Sequence, residues 1–219
     1  MKTPEERRSI NNEKIKRMGI ACLESLPVLD DARLDHMKSI EEASDRAVAS
    51  LLSTQVACDI QDGDYESSVS FFLKLLDRFD VSFKLNSLEK KLFEGQFEDQ
   101  DVINVSWEYE CFWALAWALG LVDDITDASQ ICDVATAVGL VGSCDGIEDF
   151  DGQCIPRDAE DILDMLDLYY RYHWAVTEKR LRPETETKDL NGEVVMERRR
   201  ALEWLFSDES DWFSISLDT

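Results

Sequence analysis

The spacing of apolar side chains along the chain predicts an all-α protein. Val69, Phe72, Leu73 and Leu76 recur at helical intervals, and similar patterns appear in several other segments. Only nine glycines and four prolines interrupt the 219 residues, so long regular segments are expected. We predict about seven helices in a single globular domain over residues 1–219, which is an ordinary length for one domain.

Capping signals predict where the first helices begin and end. Thr3 and Pro4 are typical of a helix start, and Gly19 is typical of the end of that helix. Ser39 and Glu42 have the spacing of a capping box, which predicts a second helix as far as about residue 58. The other predicted segments are a short strand or hairpin at 81–85, helices at 87–93, 101–119, 127–138, 157–180 and 193–206, and an extended acidic loop at 140–157.

The segment 101–119 is predicted to be the central helix. From Cys111 to Leu119 its sequence, CFWALAWAL, is apolar on every side. A helix of this kind in a water-soluble protein is surrounded by other helices, because no face of it is suited to contact with water. We therefore expect the remaining helices to pack around it.

The 157–180 helix is predicted to place a histidine among its apolar side chains. At 100° per residue, His173 lies at the centre of an apolar stripe that includes Leu166 and Tyr170. Asp167 and Arg171 fall on the opposite side. Their i,i+4 spacing predicts an ion pair on the helix surface.

The last predicted helix, 193–206, places an arginine within its apolar stripe. A guanidinium cannot be neutralised, so a buried Arg198 requires an anionic or carbonyl partner. Glu110 projects from the central helix on the same side as Trp113 and is the predicted partner, ideally through two parallel hydrogen bonds. Glu197 flanks the stripe and is the reserve partner.

Glu110, His173 and Arg198, with Glu197 nearby, are therefore predicted to converge in the interior. One interpretation is an acid–base site, since burial and neighbouring charges shift pKa values towards the working range. The other is a satisfied polar network that determines how three helices pack. The sequence favours the network, because it offers no nucleophile or oxyanion hole beside these residues.

The chain carries 47 acidic and 23 basic residues, a net charge of −24. This charge repels nucleic acids and anionic lipids, so neither nucleic-acid nor membrane binding is predicted. The acidic surface is either a solvated surface that keeps the protein soluble or a docking face for a basic partner. The arginines of the run ERRR (197–200) point in different directions on a helix, so Arg199 and Arg200 are predicted to lie on the surface.

The sequence predicts no cofactor and no metal site. His36 and His173 are far apart, the six cysteines form no C-x-x-C pair, and the glycine-rich phosphate-binding motifs are missing. Residues 1–16 lack the apolar region of a secretory signal, and no apolar run reaches the ~18 residues of a membrane span. A cytoplasmic protein with free thiols is therefore expected.

Several blocks of the sequence, taken in order, resemble a bacterial family designated domain of unknown function 4272. The blocks are RRS (7–9), SIEEASDRA (39–47), YECFWALAWALG (109–120), AEDILDMLDLYYRYHWA (159–175), VVMERRRALEWL (194–205) and the closing DT. The resemblance implies no activity, cofactor or substrate. The positions that it marks are Arg46, Glu110, Asp167, Arg171, His173, Glu197 and Arg198.

We predict a non-enzymatic interaction domain that binds a basic protein partner through its acidic surface, in an immunity or regulatory role. The alternative is a small-molecule hydrolase or an anionic-ligand-binding protein. In that case His173 is the acid–base group, Glu110 or Glu197 orients it, and Arg198 holds an anionic group. The sequence carries no signal for the oligomeric state.

Overall fold

Ten α-helices and three short 3₁₀-helices form the regular structure of residues 2–219, which is the part of the chain that the computed structural model describes. No β-strand occurs in these residues, so the predicted all-α class is confirmed. The α-helices are α1 (Pro4–Arg17), α2 (Ile40–Gln61), α3 (Tyr65–Arg78), α4 (Ser87–Glu94), α5 (Asp99–Ser106), α6 (Glu108–Ala118), α7 (Val134–Gly142), α8 (Ile147–Asp151), α9 (Ala159–Leu181) and α10 (Gly192–Leu205). The 3₁₀-helices are Asp31–His36, Ser82–Lys84 and Trp212–Ser214.

The predicted starts of the first two helices are confirmed. Thr3 and Ser39 each form a capping box with the glutamate three residues later, which satisfies backbone N–H groups that have no partner within the helix. Gly19 follows the end of α1 with a φ of +74°, a conformation that glycine adopts without strain. These signals act within one turn of the chain, so the sequence alone reveals them.

The predicted central helix at 101–119 is in fact two helices, α5 and α6, which meet at Trp107. The two helices pack in different places. Val102 and Val105 of α5 lie in a small apolar cluster with Ala57 and Leu92, whereas α6 lies in the main core between α2 and α10. The predicted burial of α6 is confirmed.

Two other predicted segments are corrected. Residues 81–85 contain the 3₁₀-helix Ser82–Lys84 and no strand, because none of the described residues offers a second strand to pair with it. The predicted 127–138 helix begins only at Val134, where the carboxylate of Asp133 accepts a hydrogen bond from the N–H of Thr136. Asp127 caps no helix and accepts instead from the N–H of Ser129.

The predicted acidic loop at 140–157 is partly helical, since it includes the end of α7 and all of α8. This short helix and the division of the central segment account for part of the difference between the ten helices of residues 2–219 and the predicted seven. Short helices of this kind have few turns in which an apolar period can be recognised.

Most of the chain contributes to one apolar core. On one side of α6, α10 packs against α9, and α1 covers the outer face of α9. On the other side, α2 contacts α3, α4 and α5. A continuous cluster of buried apolar side chains extends from Ile15 to Trp212, so residues from both ends of the sequence meet in a single domain. Within residues 2–219, no helix combines the length and the apolar character that crossing a membrane requires.

Candidate functional site

Arg198 and Glu110 form a buried ion pair between α10 and α6, as the sequence predicts. The Nε atom of Arg198 donates to Oε2 of Glu110 at 2.8 Å, and the two side chains are 3% and 1% exposed. The other carboxylate oxygen, Oε1, accepts from the N–H of Cys132 at 2.6 Å. The pair therefore has one hydrogen bond instead of the predicted two, because the second oxygen holds the loop that precedes α7.

The remaining donors of Arg198 hold the loop between α6 and α7. Nη1 donates to the carbonyl oxygens of Asp127 at 2.7 Å and Ile125 at 3.3 Å, and Nη2 donates to that of Gln130 at 3.4 Å. Nη1 also lies 3.1 Å from the hydroxyl of Tyr169, whose pKa burial raises to about 12. Carbonyl groups of non-helical backbone need such donors in the interior. All three nitrogens of the Arg198 guanidinium thus have partners within the protein.

His173 pairs with a different arginine from the one predicted. Its Nδ1 lies 2.6 Å from Nη1 of Arg199, so the neutral ring accepts a hydrogen bond there. His173 follows Tyr169, the contact of Arg198, by about one helical turn, which is a rise of about 5.4 Å. The predicted single cluster is therefore divided along α9. Helix phase reveals the face of a helix on which a side chain lies, but not the height at which a partner crosses that face.

Arg199 is buried, which corrects its predicted surface position. Its side chain is 3% exposed and forms an ion pair with Glu203 at 3.1 Å. Its two terminal nitrogens donate to the carbonyl oxygens of Leu217 at 3.1 Å and Asp218 at 3.0 Å, because the C-terminal segment folds back against α10. Sequence reasoning missed this residue. The i,i+4 spacing of Arg199 and Glu203 was the one signal in the sequence that could have pointed to it.

Acid should destabilise the protein through His173. Burial is the main cause that lowers the pKa of His173 to about 4, and the positive charge of Arg199 is the second. Between this value and about 6.5, the ordinary value, the unfolded histidine binds more protons than the folded one. The contribution of His173 to the free energy of unfolding is therefore fully present above about pH 6.5. This contribution, on the order of 3 kcal/mol, is lost as the pH falls towards 4. Urea unfolding across this pH range measures the loss.

The variants His173→Gln and His36→Gln separate this effect from the titration of carboxylates. Glutamine at position 173 keeps an acceptor for Arg199 but has no proton to gain, so the decline of stability below about pH 6.5 should become shallower. His36 is an exposed histidine, and its replacement should leave the decline as it is in the parent protein. Equal pH profiles for the parent protein and His173→Gln would show that His173 does not carry the effect.

Glu197 pairs with Arg200 and does not act as a partner of Arg198. Nε of Arg200 donates to Oε2 of Glu197 at 2.9 Å, and the arginine side chain is 12% exposed, which also corrects its predicted surface position. The Cys111 thiol lies against the Glu197 carbonyl at 3.2 Å. Burial raises the pKa of both the Glu197 carboxyl and the Cys111 thiol. Cys111 is therefore a neutral thiol and a poor nucleophile.

Asp167 and Arg171 form a buried ion pair, which corrects their predicted position on the helix surface. Two nitrogens of Arg171 donate to the two carboxylate oxygens of Asp167, at 2.9 and 2.6 Å. The Nδ2 group of Asn11 donates to the same carboxylate at 2.8 Å. Both charged side chains are almost fully buried, because α1 packs across the face of α9 that the sequence pattern assigns to solvent.

Arg46 forms a separate buried cluster with two carboxylates. It makes an ion pair with Glu89, lies 3.6 Å from Oε2 of Glu108 and donates to the carbonyl oxygen of Lys84. Its guanidinium lies 4.3 Å from the centre of the Trp212 ring, within the range of a cation–π interaction. Burial, followed by repulsion from Glu89, raises the pKa of Glu108 well above its ordinary value. This cluster joins α2, α4 and α6 to the C-terminal segment.

The positions marked by the resemblance thus lie in separate polar clusters, each joining different helices or loops. Charged groups that satisfy one another in the interior specify the packing of the elements that carry them. Among the described residues, no group of three or more histidine, cysteine or acidic side chains is arranged to hold a metal ion. The arrangement is suited to connecting helices, since its donors and acceptors largely engage one another.

The fold and these clusters define an all-helical domain whose helices are joined by buried ion pairs. Residues 7–215 match the family described as domain of unknown function (DUF4272), and the chain belongs to this family. The resemblance noted from the sequence blocks is therefore confirmed. Comparisons with curated proteins and with solved structures gave no match.

Proposed function

We propose that this protein is a non-enzymatic interaction domain, of an immunity or regulatory type, that binds a basic protein partner through its acidic surface. The observation that carries the proposal is the distribution of charge. Seven acidic and five basic side chains are buried. Nearly all of the net charge of −24 therefore lies on side chains that contact water. A surface of this kind attracts cationic partners and accelerates their association.

The state of the buried polar groups also favours this proposal over the hydrolase alternative. Arg198 has partners for all of its nitrogens, so its guanidinium is not available to hold an anionic ligand. His173 is neutral at pH 7 and its Nδ1 is engaged by Arg199. A general base needs an unprotonated nitrogen that can accept a proton from a substrate, and in the neutral ring Nε2 carries the proton because Nδ1 accepts from Arg199.

We further propose a cytoplasmic location. All six cysteines are free thiols, and burial raises the pKa of each of them. Free thiols are typical of a reducing compartment, where disulfides are rare. Because the surface would repel nucleic acids and anionic membranes, we expect the partner to be a protein.

Affinity capture from a lysate of a bacterium that carries the protein tests the proposed function. We expect a basic protein to be retained at about 50 mM salt and released at about 500 mM, because salt screens charge pairs at interfaces. Titration calorimetry with the purified pair should then show a Kd that weakens as salt increases. An unrelated helical protein of similar net charge serves as the control.

Capture of the same proteins by the control would show only non-specific attraction. The proposal fails if no protein binds in a salt-dependent and selective manner. A screen of small anionic metabolites by thermal shift addresses the alternative. A ligand that raises the Tm of the parent protein, and no longer does so in a folded variant of His173, would favour the hydrolase or ligand-binding function.

A further inference from the structure

An apolar groove lies between α2, α3 and α7. It has a volume of about 310 Å³, and its walls include Leu52 of α2, Phe71 and Leu75 of α3, and Val138 of α7. This volume is at the lower end of the range of ligand pockets, about 300–1,000 Å³. Phe71 is 56% exposed and Val138 is 37% exposed, so the groove is open to water. We call it the α2/α3/α7 groove.

The apolar surface continues beyond the walls of the groove. Val134 lies one turn before Val138 on α7, on the same side of the helix, and is 38% exposed. The Phe71 ring contacts the Phe72 ring edge-to-face, with their centres 5.1 Å apart, so these rings form part of one wall. Contiguous exposed apolar surface bordered by polar residues is typical of an interaction site.

Acidic side chains lie at both ends of the α2/α3/α7 groove. Beyond the groove-lining part of α2, Asp59 lies in the last turn of that helix, and Asp62 and Asp64 lie in the turn that leads to α3. At the other end, the carboxylate of Asp145 is paired with Arg78, and the exposed Asp149, which accepts a hydrogen bond from the Asp145 N–H, supplies the negative charge. An occupant of the groove would therefore meet negative charge at each end.

The part of α3 that lines the groove carries two basic residues, the exposed Lys74 and Arg78, whereas the α7 side of the groove carries none. Residues 130–156, which include all of α7, contain five acidic residues and no lysine or arginine. Arg78 lines the groove, but its Nη2 is in an ion pair with Asp145 at 2.8 Å and its Nε donates to the Asp145 carbonyl. Arg78 therefore connects α3 to the segment that follows α7, and the Asp145 carboxylate balances its charge.

We infer that the α2/α3/α7 groove binds an amphipathic helix of a basic protein partner. The apolar face of that helix lies on Phe71, Leu75 and Val138, and lysines or arginines at its two ends face the acidic residues. The lining residues of α3 extend over eight positions, Phe71 to Arg78, which corresponds to about 12 Å or just over two helical turns. Helix-in-groove recognition uses apolar anchors at i, i+3 or i+4 and i+7, which this length accommodates. The inference rests on the proposed function and adds where the partner binds and what kind of segment it presents.

A labelled peptide tests the groove without knowledge of the natural partner. The probe is a helix of about 14 residues made of leucine and lysine, with the leucines on one face. We expect fluorescence anisotropy to show saturable binding that weakens as salt increases. A peptide of the same composition in scrambled order, and one with glutamate in place of lysine, should bind at least about tenfold more weakly.

A pair of matched variants locates the binding site. Phe71→Ser removes an exposed aromatic ring from the groove and should weaken binding of the probe by about tenfold or more. Phe83→Ser removes a similarly exposed ring outside the groove, 66% exposed in the structure, and should leave the affinity unchanged. Both positions are exposed, so both variants should fold, which circular dichroism and thermal melts verify.

A second pair tests the contribution of the acidic ends. The double variant Asp62→Asn with Asp64→Asn should weaken binding and reduce its dependence on salt. The control, Asp35→Asn with Asp189→Asn, removes the same charge from exposed positions outside the groove and should have little effect. Equal effects of the two double variants would mean that only the overall charge attracts the peptide.

The outcomes separate this inference from the proposed function. If the probe binds in a salt-dependent manner and Phe71→Ser and Phe83→Ser behave alike, the groove is not the site, while an acidic docking surface remains supported. Equal binding of the scrambled or glutamate peptide, or no binding of the probe, also overturns the inference. A concentration-dependent dimer of the parent protein that is lost in Phe71→Ser would assign the groove to a second copy of the chain.

Discussion

Replacing Arg198 with alanine should lower the free energy of unfolding by about 3–5 kcal/mol. The substitution leaves the Glu110 carboxylate buried without its cationic partner, and it also removes the donor from the carbonyl groups of Ile125, Asp127 and Gln130. A stranded buried charge is more costly than a missing surface contact, because neither water nor another charge replaces the partner. Urea unfolding measures the change, provided that the dependence of the unfolding free energy on urea concentration is the same in the variant and the parent protein.

The control for this experiment is Arg180→Ala. Arg180 forms an ion pair with Glu193 at 3.0 Å, but both side chains are largely exposed. Such pairs contribute at most about 1 kcal/mol, so the variant should be nearly as stable as the parent protein. Combining Arg198→Ala with Glu110→Ala should cost less than the sum of the two single changes, since both remove the same interaction.

These variants also distinguish packing from ligand binding. A folded and stable Arg198→Ala or Glu110→Ala protein that has lost affinity for a small ligand would favour the hydrolase or anion-binding alternative. A loss of stability as small as that of Arg180→Ala would contradict the structural role. The structure predicts the large loss, because the guanidinium is engaged at all three nitrogens.

The second large effect is expected for Arg46→Ala, which should also reduce the free energy of unfolding by about 3–5 kcal/mol at neutral pH. The change leaves Glu89 and Glu108 buried beside each other without the cation between them. It also removes the guanidinium from the face of the Trp212 ring. The loss should be smaller in acid, where the Glu108 carboxyl, whose pKa is raised, takes up a proton. Urea unfolding at about pH 5 and pH 7 measures both values.

Glu108→Gln is the informative companion to this variant. Burial and the charge of Glu89 raise the pKa of Glu108, so between its unfolded and folded values the native state binds more protons and stability falls as the pH rises. Glutamine can still accept from Nδ2 of Asn86, as Oε1 of Glu108 does at 2.8 Å, and it carries no charge. We expect Glu108→Gln to be at least as stable as the parent at neutral pH. A loss comparable to that of Arg46→Ala would show that the charge of Glu108 is itself stabilising.

The sequence predicts the Glu110–Arg198 ion pair correctly but places Asp167 and Arg171 on the surface, and the difference has a physical reason. Glu110 and Arg198 lie on strongly apolar stripes of two core helices, and a buried guanidinium has few alternatives to a carboxylate. Asp167 and Arg171 lie on the polar face of α9, which the pattern assigns to water. α1 covers that face with Asn11 and makes it interior. A hydropathy pattern cannot show that one polar face is buried against another.

Arg199 shows a second limit of the sequence. It occupies a helix between two other arginines, and a periodic pattern distinguishes these three only by direction. Its burial depends on the carbonyl groups of Leu217 and Asp218, which belong to a segment outside the helix. Arg199 contacts His173 where α10 packs against α9, and the same guanidinium donates to the returning C-terminal segment.

By itself the sequence determined the helical class, the capping boxes at Thr3 and Ser39, the burial of α6 and the pairing of Glu110 with Arg198. These features depend on interactions within a few residues or on the large free-energy cost of an unpaired buried charge. Only the tertiary structure decided which helix covers the polar face of α9, where the C-terminal segment returns and where an apolar groove stays open between α2, α3 and α7. Those features depend on contacts between segments that are distant in the sequence, and local periodicity contains no information about such contacts.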